Sequence, residues 1–224
     1  MLKYPIKKAL QPMITSEQRA DIEYNLHIQM EIDGPYEIDD QGRVSVDGSV
    51  QRRNEMMTQL KVNFLSVSGN FKMDRCALRT LEGFPQTVSG HVSIAHTNVR
   101  SLKGSPEFVG GHFWAYGCRL KNLLGAPQKV RGKFAVYNND LTSYEHMPQE
   151  CQELELPYNP QLGVLQLLEY PKIQFFATAN SSNKSQATLL TNIVSKYAGT
   201  NNPGDILRCA SELNEHGLEG NAEW

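Results

Sequence analysis

Apolar positions recur every 21 residues through the middle of the chain. Val46, Val67, Val88, Val109 and Val130 form one such column, and Val50, Phe71, Val92, Phe113 and Phe134 form a second. Met57, Leu78, Val99, Leu120, Leu141 and Leu162 keep the same step, as do Leu60, Leu81, Leu102, Leu123, Tyr144 and Leu165. Gly48, Gly69, Gly90, Gly111 and Gly132 share the register. Columns that agree on one period predict a stacked solenoid, in which each unit buries its apolar edge against its neighbours.

The flanks follow other patterns. From Ile22 to Ile32 apolar residues alternate through Tyr24, Leu26, Ile28 and Met30, which predicts a half-buried strand. Thr15 or Ser16 followed by Gln18 offers a competing helix start. After the Asp33-Gly34-Pro35 breaker, Tyr36 and Ile38, a turn over Asp39 to Gly42, and Val44, Val46 and Val50 predict a hairpin that caps the first coil. Beyond Leu165 the spacing becomes helical. Leu189, Leu190, Ile193, Val194 and Tyr197 share one face that ends at Gly199, with N-cap candidates in Ser181 to Ser185. Asn202 and Pro203 start a second helix that places Ile206, Leu207, Ala210 and Leu213 on one face and stops near Gly217. Asn180 to Lys184 reads as a loose connector. The expected fold class is α+β: an N-terminal cap over 1–43, about six coils over 44–165 and a C-terminal helical cap or small module over 166–224.

The best-formed repeats share L-x-G-x-P-x-x-V-x-G-x-F, with Gly83, Gly104 and Gly125 and with Pro85, Pro106, Pro127 and Pro148 in step. Glycine and proline there predict a return path built of turns. Phe134 to Tyr144 fits L-x-V-x-x-N-x-L-x-x-L with aromatics in two apolar slots. This resembles the leucine-rich repeat, and the short period is most similar to the 20-to-22-residue units of bacterial and tailed-phage leucine-rich-repeat proteins. The family's asparagine stands only at Asn139; Thr97, Cys118 and Pro160 take its equivalents. The last unit slips, because Glu153 and Glu155 fall where Gly and Phe are due while Leu154 and Leu156 restore the alternation one residue out of phase, as a bulge or the start of a cap would.

The resemblance implies a concave sheet that displays the residues between the apolar positions. These are Lys72, Asp74 and Arg75; Ser93, Ala95 and His96; Trp114, Tyr116 and Gly117; Ala135, Tyr137 and Asn138. Tyr116, Tyr137 and Tyr158 are 21 apart, so they are expected to stack as a ladder with Trp114 beside them. A row of displayed aromatics suits protein binding; mutual packing of residues with high strand propensity is the alternative. Lys72, Arg75 and His96 would flank the row with positive charge.

Charge and composition narrow the classes. The 224 residues carry 22 basic and 24 acidic side chains without a like-charge block, so a general phosphate-binding surface is not implied and nucleic acid is a minority reading. Lys129, Arg131 and Lys133 are the strongest candidates for phosphate contact. Cys76, Cys118, Cys151 and Cys209 form no C-x-x-C pair, and no secretory or membrane-spanning segment is read, so a reduced cytoplasmic protein is expected (the host cytoplasm if phage-encoded). His91 and His112, one repeat apart, lack the further ligands a zinc site needs. No hydrolase, nucleotide-loop or zinc-protease motif occurs, and no cysteine is followed by Asp two residues on, as the ligase branch of the resembled family requires. The expectation is a non-enzymatic, cofactor-free and metal-free solenoid that binds a protein; the resemblance to phage proteins implies a host factor that it modulates or inhibits. Self-association as an assembly component and nucleic-acid binding are the alternatives.

Overall fold

The computed structural model describes residues 13–52, 55–177 and 183–223. A β-solenoid of about six coils fills its centre. One side of each coil contributes to an eight-stranded sheet, here the long sheet. Its strands run Met30–Asp33, Ser49–Arg52, Phe71–Lys72, Val92–Ser93, Phe113–Trp114, Lys133–Ala135, Glu153–Pro157 and Ile173–Phe176. All pairs in it are parallel except the first, where Met30–Asp33 runs antiparallel to Ser49–Arg52.

The return path is more regular than turns alone. Asn63–Val67, Thr87–Val88, Phe108–Val109 and Lys129–Val130 pair in parallel as a second sheet, extended by Arg43–Val46 and by Tyr36–Ile38 of the expected hairpin. The valine column lies in this sheet, with Val88 and Val109 wholly buried. A third side joins the two. It puts Leu78, Val99, Leu120 and Leu141 into the core and is tied between coils by backbone bonds such as Asn98 N–H to Leu78 O (2.9 Å) and Arg119 N–H to Val99 O (3.1 Å). Phe71, Phe113 and Phe134 fill the interior behind the long sheet.

Three elements depart from the sequence expectation. Residues Ser16–Gln29 form a helix, α1, not a strand, and only Met30–Asp33 is extended. A capping box decides it: Gln18 N–H donates to Thr15 Oγ1 (3.2 Å) and Thr15 N–H to Gln18 Oε1 (2.8 Å). Leu26 is buried while Tyr24 and Ile28 are exposed. Secondly, the slip near Leu154 is a shortened coil. Phe134 pairs with Leu154 and Leu154 with Ile173, so the step falls from 21 residues to 20 and then 19. Thirdly, the long sheet runs past residue 165, where the solenoid was expected to stop, by one strand, Ile173–Phe176.

The helices α2 (Lys184–Ser195) and α3 (Pro203–Glu215) form as expected. Asn202 Oδ1 accepts from Gly204 N–H (2.9 Å) at the start of α3. The α2 side chain Thr191 accepts the Phe175 N–H (3.0 Å), so the last strand's edge is not left open. The expected connector at Asn180 to Lys184 lies mostly outside the described residues. Asn221 binds Asn159 O (2.9 Å) and Leu162 O (2.8 Å), which fastens the C-terminal segment to the final coil.

Candidate protein-binding face

The outer face of the long sheet holds two aromatic clusters. At the corner end, Tyr116 and Tyr137 stack with centroids 4.7 Å apart and planes 4° from parallel. His96 stands edge-on to Tyr116 at 5.3 Å. The ladder continues to Phe176, not to Tyr158: the Tyr137 and Phe176 centroids are also 4.7 Å apart. The shortened coil is the cause. Pro157 rather than Tyr158 occupies the outward position, paired with Phe176, and Tyr158 turns into the core with its hydroxyl buried. Tyr158 therefore leaves the predicted surface and Phe176, which the sequence reading missed, joins it.

Trp114 belongs to the other cluster. Its ring packs on His91 (5.2 Å) and His112 (5.3 Å), which stack on each other at 4.7 Å. These histidines continue a ladder that starts at Ser49. Ser49 Oγ accepts from Asn70 N–H, Asn70 Oδ1 from His91 N–H, His91 Nδ1 from His112 N–H and His112 Nδ1 from Lys133 N–H, at 3.1, 2.8, 2.8 and 2.8 Å. The glycine column makes room for it. A Cβ on Gly111 would stand 2.4 Å from His91 Nδ1, and one on Gly132 2.5 Å from His112 Nδ1.

A backbone N–H can only donate, so His91 Nδ1 must be unprotonated for the ladder to close. Burial, with His112 and Lys72 nearby, holds the His91 imidazole below the ordinary value of 6.5. With the folded value lowered, His91 withholds a proton that the unfolded chain takes up, so its contribution is complete above about pH 6.5 and is lost as pH falls through the folded value. Melting curves at pH 7.5 and 5.5 should show a fall in wild type that is smaller in His91→Asn, since Asn70 does the same work one coil earlier. An equal fall in both would contradict this origin.

Arg75, His96 and Asn138 occupy the corner after each strand with φ of 50°, 57° and 55°, and all three are exposed. Gly117 holds the fourth corner at φ 64°, and a Cβ there would meet His96 Nδ1 at 2.6 Å. The left-handed region favours glycine or asparagine, so arginine and histidine sit there at a conformational cost. Lys72 is exposed in the row of Trp114, whereas Ser93, Ala95 and Ala135, expected outward, are buried. Asp74 is occupied inside the sheet, its Oδ1 accepting from Ala95 N–H (3.0 Å) and from the Ser93 hydroxyl.

Two of the three cations in the Lys129, Arg131 and Lys133 cluster have acidic partners. Lys129 pairs with Glu150, Lys133 with Glu153 (3.5 Å) and Glu155, Lys172 with Glu153 (3.0 Å), and Arg131 lies over the Phe108 ring at 5.5 Å. Burial pushes the Cys151 thiol up to about 12 and the Cys209 thiol to about 11, so neither offers a thiolate near neutrality. Among the described residues no three His, Cys, Asp or Glu converge as metal ligands, and no helix is long and apolar enough to cross a membrane. No protein-family model, curated protein or solved structure matches the chain.

Proposed function

We propose that the chain is a protein-binding solenoid whose contact surface is the outer face of the long sheet, centred on Trp114, Tyr116, Tyr137 and Phe176 and rimmed by Lys72, Arg75, His96 and Asn138. The observation that carries this reading is the Tyr116–Tyr137–Phe176 stack. Its half-buried rings are fixed by one another, and among the described residues neither tyrosine hydroxyl bonds to the protein, so both polar ends are free for a partner. Pre-ordered aromatics lose little side-chain entropy on docking. The strained corners at Arg75 and His96 add support, because side chains kept where glycine is cheaper are characteristic of functional surfaces.

Thr191 of α2 bonds the edge of the last strand, which supports this reading over self-association through the C-terminal end. The resemblance to short-repeat proteins of bacteria and tailed phages makes a host protein the first partner to seek. Capture from host lysate with wild type and with Trp114→Ala, Tyr116→Ala, Tyr137→Ala is the test. The variant should retain the wild-type circular dichroism and weaken the captured complex by about 100-fold or more, as loss of aromatic anchors does. Identical partners at equal affinity would remove this face from consideration.

A further inference from the structure

The third side of the coils carries a second surface that the aromatic face does not use. With Leu78, Val99, Leu120 and Leu141 inward, the alternating positions display Arg79, Asn98, Arg100, Arg119 and Lys121. Arg79, Arg100 and Lys121 are in register one coil apart, and Asn98 and Arg119 form the row beside them. A concavity of about 690 Å³ is lined by Arg79, Asn98, Arg100 and Arg119.

No salt bridge or side-chain hydrogen bond engages any of these four basic groups among the described residues. Lys129, Lys133, Lys172, Lys196 and Arg208 elsewhere on the chain have acidic partners, whereas among the described residues Arg131, which packs on the Phe108 ring, and Lys72 and Arg75 make no ion pair but do not line a common concavity. Asp140, one coil beyond Arg119 in the same row, makes no ion pair with it. Neighbouring coils are about 4.8 Å apart, so the cations repel one another across a short gap in a protein of net charge −2. Four such charges with no intramolecular anion point to an external one.

The lining also describes the ligand. Guanidinium groups bind oxyanions through paired N–H donors, and the Asn98 amide adds further hydrogen-bonding capacity. No aromatic or aliphatic side chain lines the concavity, so nothing there would stack on a base or take an acyl chain. Guanidiniums on successive coils are close enough for one multiply charged anion to bridge them. We infer that this side is an oxyanion site for a chain of phosphates, held by Arg79, Arg100 and Arg119 with Asn98, and with Lys121 at its rim. It reads the phosphate chain alone and is independent of the aromatic face.

Calorimetric titration of the full chain with inorganic tripolyphosphate, a nucleoside triphosphate, inorganic monophosphate and a single-stranded oligonucleotide tests it. Tripolyphosphate should bind saturably and at least about tenfold tighter than monophosphate. The nucleoside triphosphate should match tripolyphosphate. Arg100→Gln should weaken binding about tenfold and the combined Arg79→Gln, Arg100→Gln, Arg119→Gln variant should abolish it, with a melting temperature equal to or above wild type because exposed like charges are removed. Lys72→Gln, on the other face, should leave it unaltered. Four results would overturn the inference: no saturable binding of tripolyphosphate, equal binding by the triple variant, a marked preference for the nucleoside triphosphate, or tighter binding of a single-stranded oligonucleotide through the same arginines.

Discussion

Phe113→Ala is expected to destabilise the fold by about 3–5 kcal/mol, the range for removing a fully buried aromatic ring. The Phe113 ring is wholly buried and stacks on Phe134 at 5.5 Å, 18° from parallel, and its strand pairs with the strands of Val92 and Phe134 on either side. Two features keep the loss near the upper end. In a solenoid each coil is stabilised through its contacts with the next, so deleting one central ring weakens two interfaces at once. The strands are also held at fixed separation by their ladders, which limits how far the walls can close on the cavity. Urea unfolding followed by circular dichroism should show a much lower midpoint. A loss below about 1 kcal/mol would mean that the core collapses around the missing ring.

The same ring lies in a column legible from sequence alone, and the reason is physical. Every coil must present the same apolar edge to its neighbour, so the period is written into Val50, Phe71, Val92, Phe113 and Phe134, which align in the long sheet as far as Phe134. Past that point the chain drops one residue and then two, and alternating residues such as Leu154 and Leu156 fit either phase; hence Tyr158 was placed outward and Phe176 was overlooked. The N-terminal helix was hidden for a related reason. Ile22, Leu26 and Met30 are four apart, a spacing compatible with both a helix and alternation, and the Thr15–Gln18 capping box was the better signal.

The purpose of the glycine column was also hidden. Its signal was the residue immediately after each glycine: Ser49, Asn70, His91 and His112 can all accept a hydrogen bond, and each does so from the next coil. Arg79, Arg100 and Lys121 keep the same 21-residue step, but a charged column displayed to solvent carries no apolar signal by which periodicity is read.

Asn139→Asp is the sharpest test of how the coils are joined, because it keeps the side chain's shape while replacing the donor by an acceptor that carries a charge. Asn139 is buried; its Nδ2 donates to Ala115 O and Val136 O, both at 2.8 Å, and its Oδ1 accepts from Leu120 N–H at 3.1 Å. An aspartate keeps the acceptor toward Leu120 but turns its second oxygen on two carbonyl oxygens, in a place with little water. A loss of about 3–5 kcal/mol at pH 7 is expected, as for a buried charge without a partner. Burial raises the folded pKa of such a carboxyl above its unfolded value, so the penalty should shrink as pH falls through the folded value and the acid becomes able to donate one bond. Asn139→Thr, which keeps the bond to Val136 O and loses those to Ala115 O and from Leu120 N–H, should cost about 2 kcal/mol, near the worth of two net hydrogen bonds. Thr97 already shows that a hydroxyl can serve at this corner, with Oγ1 donating to Ile94 O at 2.8 Å, and the Cys118 thiol donates to the same carbonyl at 3.1 Å. The shortened coil brings Asn159, not Pro160, to the equivalent place, where its Nδ2 donates to Leu141 O at 3.3 Å. If the aspartate variant is as stable as the threonine one at pH 7, the side chain at this position contributes shape rather than donated hydrogen bonds, and the corner is held by backbone contacts alone.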